Sequence, residues 1–178
     1  METIGGGAGA RAYKDGTDGV QVHVTNTSNL PVEALENEYP LLVERYELIE
    51  DSGGAGKWRG GLGLRRVYRA LEHTMTFSGQ DERSVTHPWG IFGGKDGGTG
   101  SIFILHSDGR REILESKPSS LEIPPNASVC VETPGAGGYG KPDERDAGSL
   151  QEDWRSQKFS NDFMLKNYGF NPYGKEES

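Results

Sequence analysis

Short apolar runs of strand length recur along the first part of the chain. Their apolar residues alternate with polar ones or are β-branched, and turn-forming residues bound each run. The runs are VQVHVT (20–25), LLVERYELI (41–49), LGLRRVYRAL (62–71), TMTFS (74–78), SIFIL (101–105), REIL (111–114) and SVCVET (128–133). This pattern predicts a mainly β, Gly-rich fold with mixed or antiparallel sheets.

Two local sequences predict a turn and a helix between the strands. The Ser-Asp-Gly sequence at 107–109 separates SIFILH from RREIL, and Asp-Gly accepts the positive φ angles of a tight turn. We therefore expect a β-hairpin there. LPVEALENEYP (30–40) predicts one short internal helix, because Pro31 suits a helix start and Pro40 discourages continuation.

The glycines show where the composition changes. Of the 27 glycines, 24 lie in residues 1–142, in clusters such as SGGAGKWRGGLG and PGAGGYG. In residues 143–178, Leu150 with Trp154 and Phe159 with Phe163 lie at near-helical spacing, and Gly169 is typical of a helix end. This predicts a C-terminal pair of short helices that covers the rings of Trp154, Phe159 and Phe163. We expect a Gly-rich β domain over 1–142 and a helical tail over 143–178 that packs on it.

Charge and composition exclude several classes of partner. The net charge of -8 and the pI near 5 repel nucleic acid and anionic membranes. The single cysteine, Cys130, cannot form an intramolecular disulfide, and its alternation with valines predicts a core or interface position. Because the sequence contains neither a membrane-length apolar run nor a signal-peptide pattern at its start, we expect a cytoplasmic protein.

Two glycine-rich motifs resemble nucleotide-binding loops but lack residues that this chemistry needs. PGAGGYG (134–140) has G-x-G-x-x-G order, yet Lys141, Pro142 and a charged stretch follow where an apolar helix should begin. SGGAGKW has Asp51 and Trp58 where a phosphate loop needs Gly and Ser or Thr. Both sequences predict tight backbone turns instead.

The histidines do not form a recognisable metal site. The sequence contains four of them, none in an H-x-H or H-x-x-x-H pair: His23, His73, His87 and His106. We therefore expect no metal within this chain. His23 lies in an alternating segment that places Gln21, His23 and Thr25 on one face, and such a polar stripe either lines a cleft or faces solvent.

Several motifs, in order, carry a resemblance to a known family. They are ETIGGGAGA (2–10), DGVQVHVTNTSNLPVEALENEYPLLVERYELIEDSGGAGKWRGGLGLRR (18–66), PWGIFGGKDG (88–97), ETPGAGGYGKP (132–142) and the closing ERDAGSLQEDWRSQKFS and FMLKNYGF. Over essentially its whole length, the chain resembles the C-terminal part of the hydantoinase B/oxoprolinase family, of the 5-oxoprolinase and N-methylhydantoinase B type. Members of that family are much longer, so we expect a truncated, split or excised segment.

The resemblance implies a role in an ATP-dependent cyclic amidohydrolase that opens hydantoins or 5-oxoproline. In such enzymes an A-type subunit or domain uses ATP to phosphorylate the substrate oxygen, and the B-type part supplies a metal-assisted hydrolytic site. The chain would contribute cleft wall and subunit interface. ATP and the divalent metal would be bound outside it, and the isolated chain would be inactive.

The partners implied by the resemblance are the A-type subunit or domain, the missing N-terminal part of the B-type chain and a small cyclic amide. Two alternatives remain. The chain is a non-catalytic assembly module, or it belongs to a related ATP-dependent ketone carboxylase, which would keep the fold and change the substrate.

Given the resemblance, polar residues of the H-x-T-N-T segment are the candidate catalytic residues: His23, Thr25, Asn26 and Thr27. The candidate ligand-binding residues are Gly5, Gly6 and Gly7, whose backbone N–H groups can approach an anion, and Arg59, which can position a phosphate-bearing intermediate or a subunit contact. The structural alternatives are a side-chain-capped turn at 26–27, sharp glycine corners and an interface ion pair of Arg59.

Overall fold

A computed structural model of the chain describes residues 1–21 and 28–172. In chain order its elements are α1 (Val32–Glu38), β1 (Leu41–Leu48), β2 (Leu64–Ala70), β3 (Met75–Phe77), β4 (Ser101–Leu105), β5 (Arg111–Ile113), β6 (Leu121–Ile123), β7 (Ser128–Glu132), a 3₁₀ turn (Pro142–Glu144), α2 (Ala147–Arg155) and α3 (Asn161–Tyr168). The predicted mainly β fold with one internal helix and a C-terminal helical pair is confirmed.

Five strands form one antiparallel sheet in the order β1-β2-β7-β4-β5, and β3 and β6 form a second, two-stranded antiparallel sheet. β7 follows the other strands in sequence but lies at the centre of the larger sheet. The predicted hairpin is confirmed, because β4 pairs with β5 and Leu105 lies opposite Arg111. Gly109 supplies the turn with a φ of +85°.

Six of the seven predicted strand runs contain a strand of the structure. The seventh, VQVHVT, lies mostly outside the described residues; at its start, Val20 forms an isolated bridge with Gly6. The sequence pattern missed β6. This strand has only three residues, and Pro118 and Pro124 flank it closely, so no periodicity can build up in it.

The two faces of the larger sheet bury different clusters. The inner face, which we define as the face that carries Tyr68, Ile102 and Val129, packs against β3 and β6. Its buried cluster comprises Ile102, Ile104, Ile123, Ala127 and Val129. The opposite, outer face buries Val67, Phe103 and Cys130.

Cys130 therefore lies in the core, as its alternation with valines predicts. Its side chain is fully buried, and burial raises the pKa of the thiol to about 12. The outer face is polar above this cluster, where Arg65 donates to Glu132 at 2.7 Å and to Glu47 at 2.8 Å. A neutral thiol beneath an ion-paired surface is a packing residue.

The glycine clusters bring backbone segments into direct contact. A Cβ atom on Gly60 would lie 1.8 Å from the carbonyl oxygen of Ala136, and one on Gly135 would lie 1.8 Å from that of Ser52. These segments also hydrogen bond to one another, since Gly54 N–H donates to Ala136 O at 2.8 Å. No α-helix begins within residues 134–140, so PGAGGYG packs as backbone and lacks the helix that a nucleotide loop requires.

The two C-terminal helices begin and end at capping residues. Asp146 accepts from Ser149 N–H at the start of α2, and Ser160 accepts from Phe163 N–H at the start of α3. Gly169 ends α3 in the left-handed conformation.

Both helices contribute to a buried cluster with a residue of the glycine-rich part of the chain. This cluster comprises Leu62, Leu150, Phe159 and Met164. The division into two parts at residue 142 stays a prediction. None of the helices in the described part of the chain combines the length and the apolar character that crossing a membrane requires.

Candidate functional site

A cavity of about 510 Å³ lies on the inner face of the larger sheet. The sheet forms its base, β3 and the loop 78–82 form one side, and the N-terminal residues 1–4 form another. A volume of this size is typical of small-molecule sites. We call it the inner cavity.

The wall of the inner cavity is mostly apolar. Its apolar side chains are Met1, Ile4, Leu35, Leu41, Met75, Phe77, Ile102, Val129, Val131 and Pro134. Three carboxylate side chains also line it, those of Glu2, Asp81 and Glu82, together with the hydroxyl of Tyr68. Among the described residues of the wall there is no Lys, Arg or His side chain, so its side chains favour a neutral or cationic ligand.

Glu2 is held in place by two residues of β2. The hydroxyl of Tyr68 donates to the Glu2 carboxylate, and Nη2 of Arg66 lies 3.1 Å from Glu2 Oε1. Arg66 is fully buried and packs over the ring of Tyr46, 4.5 Å from its centroid. Burial, together with the bond to Glu2, raises the pKa of Tyr68 well above its usual range, so the hydroxyl remains a donor. The N-terminal side of the cavity is thereby fixed to the sheet.

Asp81 occupies another part of the wall, where none of the described residues forms an ion pair with it. The residue is 9% exposed, and its Oδ2 atom is buried and accepts no hydrogen bond in the described structure. A Cβ atom on Gly100 would lie 2.6 Å from Asp81 Oδ1, so the missing side chain at Gly100 makes room for the carboxyl group. Burial raises the pKa of Asp81; the nearby charge of Glu82 adds to this effect, and the Glu82 backbone N–H opposes it.

The predicted catalytic residues His23, Thr25, Asn26 and Thr27 lie outside the described residues. The residues just before them do contact the N-terminal side of the inner cavity. Val20 N–H donates to Gly6 O at 2.8 Å, and the Gln21 side chain donates to Thr3 O at 2.7 Å. The catalytic assignment stays a prediction.

The three predicted ligand-binding glycines lie where backbones meet. Gly6 lines the inner cavity, whereas Gly7 N–H donates to Pro134 O at 2.9 Å. The carbonyl of Gly5 accepts from the Thr133 hydroxyl at 2.8 Å. The Gly7 amide is thus already engaged within the chain, and anion binding by this segment stays a prediction.

Arg59 belongs to a buried ionic network, which we define as Asp15, Asp18, Arg59, Arg145, Asp153 and Lys158. Arg59 is 4% exposed and donates from both terminal nitrogens to Asp18, at 2.7 and 3.0 Å, and from Nε to Asp153, at 3.0 Å. A fourth bond runs from Nη1 to Gly60 O at 3.1 Å. The structure thus gives Arg59 internal partners, and its contact with a ligand or another protein stays a prediction.

Arg145 forms ion pairs with two carboxylates of the ionic network. It donates to both oxygens of Asp15 at 2.8 Å and from Nη2 to Asp153 at 2.6 Å. Burial alone would raise the pKa of Asp15, but the bonds and charges of Arg145 and Arg59 outweigh it and lower that pKa. Lys158 Nζ lies 4.0 Å from Asp18 and from Asp153, so three cations balance three carboxylates.

The described residues contain no group of three or more His, Cys, Asp or Glu side chains that could hold a metal ion. The densest group of carboxylates, in the ionic network, is paired with guanidinium groups. The residues that the structure describes therefore do not fit a metal.

Three buried residues of these sites, Asp81, Arg66 and Arg145, were not among the residues predicted from the sequence. Only for Arg66 does the sequence contain a signal of burial. The alternation in LGLRRVYRAL places its side chain on the same face of the strand as those of Leu64 and Tyr68, and this face is expected to be buried. Asp81 and Arg145 lie in irregular segments, and their burial depends on packing between distant parts of the chain.

Residues 85–92 form an exposed apolar segment. Val85, Trp89 and Phe92 are 87%, 65% and 76% exposed. Trp89 also lines a second cavity of about 360 Å³, whose wall includes the glycine-rich backbone 134–138. Exposed apolar residues grouped in this way are typical of interaction surfaces.

Comparisons with known proteins agree on one family. The family model described as Hydantoinase B/oxoprolinase matches residues 1–142. The uncharacterized protein MJ0963 of Methanocaldococcus jannaschii is 45% identical over 167 residues, which cover 94% of this chain and 29% of that protein. A relative from Pseudomonas sp. strain NS671, named as one of the subunits of a putative D-/L-hydantoinase, is 34% identical over 178 residues, which cover 99% of this chain and 30% of that protein.

A solved structure shows the same fold. The crystal structure of the ATP-dependent caprolactamase from Pseudomonas jessenii matches with a TM-score of 0.81 and 30% identity, over 98% of this chain and 31% of that one. The chain spans less than a third of the length of each of these relatives.

Proposed function

The chain belongs to the hydantoinase B/oxoprolinase family, and on this basis we propose that it is the C-terminal segment of an ATP-dependent cyclic amidohydrolase. In this proposal it contributes a wall of the substrate cleft and a subunit interface. The relatives named as a putative D-/L-hydantoinase and an ATP-dependent caprolactamase support the proposal. The observation that carries it is the inner cavity, whose size and apolar wall suit a small cyclic amide.

The chemistry explains why such a segment would need partners. A cyclic amide is hard to hydrolyse because resonance stabilises it and its leaving group is poor. Phosphorylation of its oxygen by ATP reduces the resonance stabilisation and supplies a better leaving group. We propose that an A-type subunit or domain supplies the ATP site, and that the N-terminal part of the B-type chain supplies the divalent metal.

The exposed apolar segment 85–92 is the surface that we propose for the subunit interface. Its three most exposed side chains lie within eight residues of one another. Burying them against a partner would remove apolar surface from water, which favours association. The hydantoinase relative from Pseudomonas sp., named as one subunit of its enzyme, supports the presence of such a partner.

Reconstitution tests the proposal directly. The chain is combined with the N-terminal part of the B-type chain and the A-type subunit, and phosphate release from ATP is measured with and without hydantoin, 5-oxoproline or caprolactam. We expect phosphate release that depends on a cyclic amide. Phe92→Asp should weaken co-purification of the subunits, whereas the matched control Leu165→Asp, at a residue that is 60% exposed on α3, should not.

The second candidate function is a non-catalytic assembly module. The internal pairing of Arg59 favours it, because a residue predicted to contact a ligand is instead bonded within the chain. His23→Ala and Asn26→Ala distinguish the two functions. If turnover is lost while the complex still assembles, the chain is not merely an assembly module.

Product formation from a ketone and bicarbonate would instead identify the carboxylase alternative.

A further inference from the structure

We propose that the inner cavity binds the ring of a small cyclic amide and that the carboxyl group of Asp81 accepts the amide N–H. The choice of a cyclic amide rests on the proposed function. The choice of a compact, mostly apolar molecule with an N–H donor rests on the cavity itself.

The base and sides of the cavity present a hydrocarbon surface to a ligand. Ile102, Val129 and Val131 contribute aliphatic side chains from adjacent strands, and Met75 and Phe77 of β3, which are partly buried, pack against the same cluster. A saturated ring placed there would exchange contact with water for contact with hydrocarbon. An anionic ring would lose hydration there and would face the carboxylates of the wall.

The three carboxylates of the cavity wall differ in how well they are already paired. Glu2 is bonded to Tyr68 and paired with Arg66, and Glu82 is exposed to solvent. Asp81 is nine-tenths buried and forms no ion pair among the described residues. Its Oδ2 atom accepts no hydrogen bond in the described structure, so this oxygen gains more from a ligand N–H than one that is already satisfied.

The position of Asp81 is set by the backbone around it. Asp81 N–H donates to Ser116 O at 2.7 Å, and the absence of a side chain at Gly100 leaves the space that the carboxyl group fills. The carboxyl group is therefore held at the cavity wall before any ligand arrives. A preformed acceptor of this kind costs little conformational entropy on binding.

The test compares two ligands that differ only at the nitrogen. Binding of ε-caprolactam and of N-methylcaprolactam, which lacks the N–H, is measured by NMR titration with the wild-type chain, Asp81→Leu and Asp81→Asn. We expect the wild-type chain to bind caprolactam about fivefold more tightly than its N-methyl analogue. Asp81→Leu should bind both equally. Asp81→Asn should keep the preference, because the Asn amide oxygen still accepts.

A second variant locates the binding site. Met75→Trp, at a partly buried position on the cavity wall, should weaken binding of both lactams without changing their ratio. Circular dichroism spectra of each variant confirm that it folds. Equal affinity of the wild-type chain for the two lactams, or a preference that persists in Asp81→Leu, would overturn the proposal.

The outcome also separates this inference from the proposed function. If the reconstituted complex hydrolyses a lactam while the Asp81-dependent preference is absent, the inference fails and the proposed function stands. If the preference is present but the complex hydrolyses no cyclic amide, the proposed function fails and the binding site stands.

Discussion

The Nε atom of Arg59 lies 3.0 Å from Oδ1 of Asp153, although 94 residues separate the two in sequence. Both side chains are almost fully buried, at 5% and 4% exposure. The bond joins the glycine-rich loop around residue 59 to helix α2. Arg145 donates to the other oxygen of the same carboxylate, so Asp153 holds two guanidinium groups.

Asp153→Ala should lower the free energy of unfolding by about 3–5 kcal/mol, because it leaves two buried guanidinium groups short of a counter-charge. Urea denaturation measures the change. The matched control is Arg110→Ala, which breaks an ion pair to Glu112 between side chains that are 61% and 44% exposed. The control should change the stability by less than about 1 kcal/mol. Equal losses in the two variants would show that the ionic network contributes no more than a surface pair.

Acid should weaken the ionic network at Asp15. The pKa of this group lies below its ordinary value of 3.8 in the folded chain, so the unfolded chain binds the proton more tightly. The stabilisation is fully present above pH 3.8 and is lost as the pH falls through the lowered value. Asp15→Asn should therefore show a smaller loss of stability on acidification than the wild-type chain. Asp143→Asn, at an exposed position, serves as the control in urea titrations between pH 5 and 2, and an equal loss in Asp15→Asn and wild type would contradict the linkage.

Asp81 should have the opposite pH dependence. Its pKa is raised in the folded chain, so the folded state holds the proton more tightly and stability falls as the pH rises from 3.8 through the raised value. Asp81→Asn removes this loss. The variant should be more stable than the wild-type chain at pH 7, and this advantage should shrink as the pH falls to 3.8 and below. A constant difference between the two proteins at all pH values would rule out titration of Asp81 as its origin.

Gly60→Ala should prevent the glycine-rich segments from packing as they do. Its Cβ atom would lie 1.8 Å from Ala136 O, a backbone atom that cannot move aside without displacing the whole segment. We expect a loss of several kcal/mol in thermal unfolding followed by circular dichroism. Gly9→Ala is the control, because nothing lies within 4 Å of its added Cβ atom. A similar melting temperature for both variants would show that this backbone contact is dispensable.

The strands and helix ends were largely predictable because their signals are local. The Asp-Gly turn predicted the β4–β5 hairpin, and Gly169 ends the last helix as its position after an apolar-periodic stretch indicated. The central position of β7 was not predictable from its own residues. Strand order depends on which distant strands share hydrogen bonds, and no local pattern records this.

The candidate site was less predictable than the fold. The resemblance implied a ligand or subunit contact for Arg59. Its partners Asp18 and Asp153 lie 41 and 94 residues away, so its internal pairing could not be predicted from the sequence. The sequence around Asp81 contains no motif that indicates a binding residue. Its burial results from the folding of the loop 78–82 against the sheet, and its space results from a glycine 19 residues later, at position 100.

Backbone contact between the glycine-rich segments also limits the length of the chain there. Within residues 134–138, a Cβ atom added at Gly135, Gly137 or Gly138 would clash with a carbonyl oxygen, that of Ser52, Trp89 or Ala55 respectively. Deleting one residue from this stretch would place a residue with a side chain, such as Ala136, at a position where the facing carbonyl oxygen leaves room only for the hydrogen atom of glycine. Single-residue insertions and deletions should therefore be tolerated less well in this stretch than at the exposed hairpin turn 107–109.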